Sequence, residues 1–117
     1  MTEDETLADL LASMKRTRHN RIVVCIHETA AKNFAQMIKR MVQRDMLPFE
    51  IISETAIEVR CNRQWQRVYF ASAFQDPIHY AGRAAEVTLM PGIQGAMMAW
   101  SWERFAERAN REWTESK

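Results

Sequence analysis

The sequence is poor in the residues that punctuate or staple a chain. Glycine and proline number three each, with no Pro/Gly/Ser-rich stretch, repeat or low-complexity run. Nothing therefore marks a linker, and one domain is expected over 1–117, with 1–20 forming an N-terminal helix and basic loop. There are two cysteines, Cys25 and Cys61, each inside an apolar strand-like segment and not in a CxxC pair. A zinc site lacks its usual ligand spacing, and two buried free thiols in a reducing compartment are expected. No apolar run approaches the ~20 residues of a membrane span. The acidic start, Met1-Thr2-Glu3-Asp4-Glu5, lacks the basic and apolar parts of a secretory leader. No membrane partner and a cytoplasmic location are the resulting expectations.

Lysine is absent between Lys39 and Lys117. That excludes a working phosphate-binding loop at Met90-Pro91-Gly92-Ile93-Gln94-Gly95, where a strand runs into a glycine-containing turn and a helix. Such a loop needs a lysine on the phosphates and a hydroxyl on magnesium. The acids Glu50, Glu54, Glu58 and Asp76 likewise lack the lysine that a two-carboxylate nuclease site near a hairpin would use. No metal and no cofactor is expected.

What is present is a foldable chain, 47% apolar and 26% charged, which excludes wholesale disorder. Leu7, Leu10, Leu11 and Met14 follow helical spacing, and Thr2 and Glu5 are spaced as a capping box, so a helix is predicted over about 3–14. Lys15 to Arg21 reads as a basic loop. Ile22 to Ile26 is an unbroken β-branched run suited to a strand covered on both faces. A helix follows from about Ala30, with Phe34, Ile38 and Val42 on its apolar face and Lys32 and Lys39 on the other. Ile51 marks further strand material. Ile57, Val59 and Cys61 alternate with Glu58 and Arg60, Asn62-Arg63-Gln64 reads as a turn, and Val68 to Ala71 is the return strand. Asp76-Pro77 predicts a short helix to about Ala85. Val87 to Met90 is a strand, and a last helix is predicted from about Gln94 to Trp113. The expected fold is a single layered α/β domain, a small mixed sheet with helices packed on it.

Charge is unevenly spread. Residues 1–12 hold four acids and no base, whereas 13–67 hold eleven Lys/Arg against five Asp/Glu. A basic centre under an acidic leader suits an acidic partner such as nucleic acid. Arginine contacts phosphates and an exposed aromatic ring stacks on bases, so the expected contacts are Lys32, Lys39, Arg40, Arg60, Arg63, Trp65 and Arg67, with Tyr69 beside them. A second reading is a protein-only inhibitor or assembly module that binds through the last helix. There Trp100 lies off the apolar face with Arg104 and Arg108. A third is a small hydrolase or nuclease centred on His27 and Glu28, at the carboxyl end of the first strand, where α/β sheets hold ligands.

From Arg21 to about Gly92 the layout resembles part of the ATPase core of phage terminase large subunits and related helicase-like P-loop proteins. The residues that carry this are the strand Ile22–Ile26, the loop His27-Glu28-Thr29, the alanine-rich start Ala30-Ala31-Lys32-Asn33-Phe34, the turn at Asn62 between two strands, and Gly82-Arg83 ahead of Val87–Met90. No phosphate-binding loop precedes the first strand, and the strand that should end in Asp-Glu ends in Met90-Pro91. The resemblance implies a phage-encoded, non-hydrolysing relative of P-loop proteins, with no catalytic residue to carry over.

Overall fold

Successive side chains of a strand point to opposite faces, and the run from Ile22 to Cys25 feeds two apolar layers at once. In the computed structural model, which describes residues 2–115, Val23 and Cys25 enter one core cluster while Ile22 and Val24 enter the other. Met1 and residues 116–117 of the expected domain lie outside the described residues. The elements run α1 (Glu3–Arg16), β1 (Asn20–Cys25), α2 (Glu28–Arg44), β2 (Phe49–Ser53), β3 (Ala56–Cys61), β4 (Gln64–Ser72), β5 (Ala85–Leu89) and α3 (Ala99–Glu115). The five strands lie in the order β2-β3-β4-β1-β5. β1 is parallel to β4 and to β5, whereas β2, β3 and β4 form an antiparallel meander. The expected mixed α/β sheet with packed helices is the observed fold.

The helices divide unequally. Helices α1 and α2 pack on one face through Leu7, Met14, Phe34, Ile38 and Val42, against Ile57, Val59, Val68 and Phe70. Helix α3 packs on the other face through Trp102 and Ala106, against Ile22, Val24, Ala71, Ala85 and Val87. Trp102 is fully buried, and its indole N–H donates to the Gln75 carbonyl at 2.8 Å. Asn110 of α3 donates to the Val87 carbonyl and accepts from the Val87 N–H, both at 2.7 Å. Its amide thereby occupies backbone groups of an edge strand that would otherwise be open to pairing.

Three sequence expectations change and one is extended. Arg21 is not in a loop but in β1, 1% exposed. Its guanidinium donates to the His19 carbonyl, Ser13 Oγ, Thr17 Oγ1 and Gln66 Oε1. The Gln66 amide in turn donates to the carbonyls of Met14, Thr17 and Cys61. This buried network ties the end of α1 to the sheet, and hydrogen bonding is what lets a charge sit there. Burial lowers the Arg21 pKa, and nearby Glu86 opposes that shift. Second, the strand material expected at Ile51 is observed and extends to a full edge strand, β2, with a bulge between Ile51 and Ser53. Third, the helix expected from Pro77 to Ala85 is a 3-10 turn over Pro77–Tyr80. Asp76 caps it as expected, but Gly82 at φ +83° redirects the chain into β5. Fourth, the last helix starts at Ala99 rather than Gln94, because Gly92 at φ +90° opens a separate 3-10 turn over Ile93–Gly95 that buries Ile93.

Candidate nucleic-acid interface

Helix α3 covers β5, β1 and the end of β4 but leaves the same face of β3 and the start of β4 bare. On that face the register sets Arg60 opposite Trp65, Glu58 opposite Arg67 and Ala56 opposite Tyr69. Directly opposite residues of an antiparallel pair share a face with Cβ atoms ~5 Å apart. Arg60, Trp65, Arg67 and Tyr69 therefore share this two-strand face, with Glu58 among them. Arg60 is exposed and Trp65 is 37% exposed.

The platform continues toward α3 through Tyr69. The Tyr69 hydroxyl accepts from Arg67 Nη1 at 3.3 Å and from Arg83 Nη1 at 3.1 Å. The Arg83 guanidinium lies 4.7 Å from the Tyr69 ring centroid and 5.6 Å from that of Tyr80. A guanidinium this close to ring faces is held by cation–π attraction. Arg67 also donates to Glu58 Oε2 from Nε and Nη2, at 3.2 and 3.1 Å. Its hydrogen bonds to Tyr69, then to Glu58, raise its pKa. Among the described residues Glu58 is the only acid that pairs with an arginine of this strip: Arg60, Arg63, Arg83, Arg104 and Arg108 form no ion pair there.

Arg63 stands at the tip of the β3–β4 hairpin. The two-residue loop has φ +50° at Asn62 and +65° at Arg63, the positive pair of a type I′ turn. Asn-Gly is the favoured sequence for that turn, so an arginine at the second position carries backbone strain that glycine would not. The tip is held from behind: Asn62 Nδ2 donates to the Thr17 carbonyl, Arg18 Nε to the Asn62 carbonyl and Gln64 Nε2 to the Arg18 carbonyl.

The residues expected to meet nucleic acid thus fall into two groups. Arg60, Trp65 and Arg67 come together on the bare face, with Arg63 at its end. Lys32, Lys39 and Arg40 sit on α2, on the far side of the sheet, and Lys32 is engaged with Glu54 at 3.2 Å and Glu28 at 3.7 Å. Trp100, Arg104 and Arg108, expected at a protein interface, line a groove beside Arg83. Arg83 itself was not among the expected contacts. The adjacent Gly82-Arg83 pair carried its signal, hidden by the expectation of a helix through Ala85.

His27 and Glu28 serve the start of α2. The imidazole Nδ1 accepts from the Ala30 N–H at 3.0 Å, a side-chain N-cap. Cys25 is buried, and burial pushes its thiol up to about 12. Among the described residues no group of three His, Cys, Asp or Glu side chains is placed to hold a metal ion, and no helix is long and apolar enough to cross a membrane. Comparison with protein-family models, with curated proteins and with solved structures finds no match to this chain.

Proposed function

We propose that this chain binds single-stranded nucleic acid on the bare face of its sheet, without catalysing a reaction on it. The observation that carries the reading is the cross-strand Arg60–Trp65 pair, continued by Arg67, Tyr69 and Arg83 on a surface no helix covers. Unpaired bases stack on aromatic side chains of an open sheet, and guanidiniums between the rings meet the phosphates. The strained Arg63 turn fits the same reading, since backbone strain collects at functional sites. The resemblance to the ATPase core of phage terminase large subunits, whose phosphate-binding loop this chain lacks, belongs with it, as a phage-encoded chain that contacts nucleic acid or the machinery that processes it.

The test is a fluorescence titration with single- and double-stranded DNA and RNA at low and physiological salt. The expected result is binding to single strands that weakens steeply with salt and is lost in an Arg60→Ala, Arg63→Ala, Arg67→Ala triple variant. No binding at low salt, or undiminished binding by that variant, would overturn the proposal. The protein-only reading would then rest on the exposed ring of Trp100.

A further inference from the structure

Beyond Arg83 the bare face opens into a groove of about 630 Å³ between the 76–83 connection and α3. One wall carries Pro77, Ile78 and Arg83. The other carries Trp100, Arg104 and Arg108, which recur every four residues along α3 and so share a stripe. Trp100 is 67% exposed, and the Arg104 guanidinium lies 5.0 Å from its ring centroid. The three arginines form no ion pair among the described residues. The one acid in the lining, Asp76, is turned to its own backbone and accepts from the Ile78 N–H at 3.0 Å.

Resting on the reading above, we propose that this groove is a nucleotide subsite holding the continuation of the bound single strand. Its base stacks at Trp100 and its phosphates lie against Arg83, Arg104 and Arg108. Three features on the molecule support one ligand rather than two. The groove is continuous with the sheet face, because Arg83 both lines it and donates to Tyr69 at 3.1 Å. Its charge complements a phosphate backbone. Its volume lies within the ~300–1,000 Å³ of small-molecule sites and so accommodates a nucleotide unit. The Arg104 guanidinium, held over the Trp100 ring, presents a charge beside it.

The experiment compares oligothymidylates of about 4 and about 16 nucleotides, the span of site sizes for small single-strand binders, across a range of salt. Both substitutions in the Arg104→Ala, Arg108→Ala variant are on exposed helix positions, so the fold should persist and circular dichroism checks it. The short strand fits the sheet face alone and should bind this variant as it binds the wild type. The longer strand should bind about tenfold or more weakly, and its log–log salt slope should fall by about 1.4, at ~0.7 per lost single-strand phosphate contact. Trp100→Ala, which leaves charge unchanged, should weaken the longer strand by about tenfold and spare the short one.

Unchanged affinity and slope for the longer strand would overturn the subsite and give the groove to another partner, provided an Arg60→Ala, Arg67→Ala variant weakens both lengths. Equal loss at both lengths in the Arg104→Ala, Arg108→Ala variant would also overturn it, as a general charge effect. If neither strand binds the wild type at low salt, the nucleic-acid reading itself fails and the subsite fails with it.

Discussion

The two halves of this sheet are built to different rules. The half formed by β1, β5 and the end of β4 has helices on both faces, and its central strand is apolar on both sides from Ile22 to Cys25, with Ile22, Val23, Val24 and Cys25 all buried. The half formed by β2, β3 and the start of β4 has helices on one face only. There the apolar residues Ile57 and Val59 alternate with Glu58 and Arg60, whose face also carries Glu50 of β2 and Trp65, Arg67 and Tyr69 of β4. An uncovered sheet face usually carries scattered polar residues, as one side of an antiparallel sheet commonly faces water. Here it carries arginines beside aromatic rings, and on that composition the proposed binding surface rests.

The comparison is broken most sharply by one tryptophan from each half. Trp102→Ala should cost ~3–5 kcal/mol of stability, because a fully buried ring leaves a cavity and frees the Gln75 carbonyl. Trp65→Ala should change stability by less than about 1 kcal/mol yet weaken single-strand binding by ~1–3 kcal/mol. Chemical denaturation and a titration on the same two variants separate the effects. Equal destabilisation would erase the distinction between the halves.

The covered half also has a pH signature. With the Cys25 thiol pushed up to about 12 from an ordinary 9.0, the unfolded chain releases this proton first as pH rises. The resulting contribution to stability is full below pH 9 and is lost between about 9 and 12. A Cys25→Ala variant should show a flatter decline over that window in urea midpoints. A slope indistinguishable from wild type would place the alkaline loss elsewhere.

Asn110 guards the edge of the covered half. Asn110→Ala should cost ~1–3 kcal/mol, since the paired backbone groups of Val87 lose their partner. Hydrogen exchange at the Val87 amide should rise locally; unaltered protection would show that the amide does not depend on Asn110.

On the bare half, Arg63→Gly should stabilise the hairpin by ~0.5–1 kcal/mol, relieving the positive φ, and at the same time weaken binding. A gain in stability with no loss of binding would make Arg63 a turn residue and nothing more. Glu58→Gln should have the smallest effect, a few-fold gain in affinity at low salt as Arg67 loses its competing carboxylate. A loss of affinity would mean that Glu58 aims Arg67 at the ligand.

Much of the fold was legible because period and burial agree. The helical stripe of α1, the β-branched run of β1, the alternation in β3 and the face of α2 all follow from the pattern of apolar residues. Arg21 was not legible, because a basic residue after Lys15, Arg16 and Arg18 reads as surface until its four hydrogen-bond acceptors, spread from Ser13 to Gln66, are brought around it. The 76–83 segment misled for a local reason. A good cap and a proline start a helix, but they say nothing about the glycine that ends it one turn later. Of the candidate site, Arg60, Trp65 and Arg67 were visible as a cluster because hairpin neighbours in space are also neighbours in sequence. Their join to Arg83 and to the groove on α3 was not, since it depends on β4 and α3 sharing one face of the sheet.

The most direct test of the central claim is to map where a strand lies. A bromodeoxyuridine-substituted single strand would be irradiated with the protein and the cross-linked peptides sequenced. The account predicts cross-links on the β4 peptide carrying Trp65 and Tyr69, with Trp100 added for longer strands. Cross-links confined to the α2 peptide carrying Lys32, Lys39 and Arg40, or none at low salt, would contradict it.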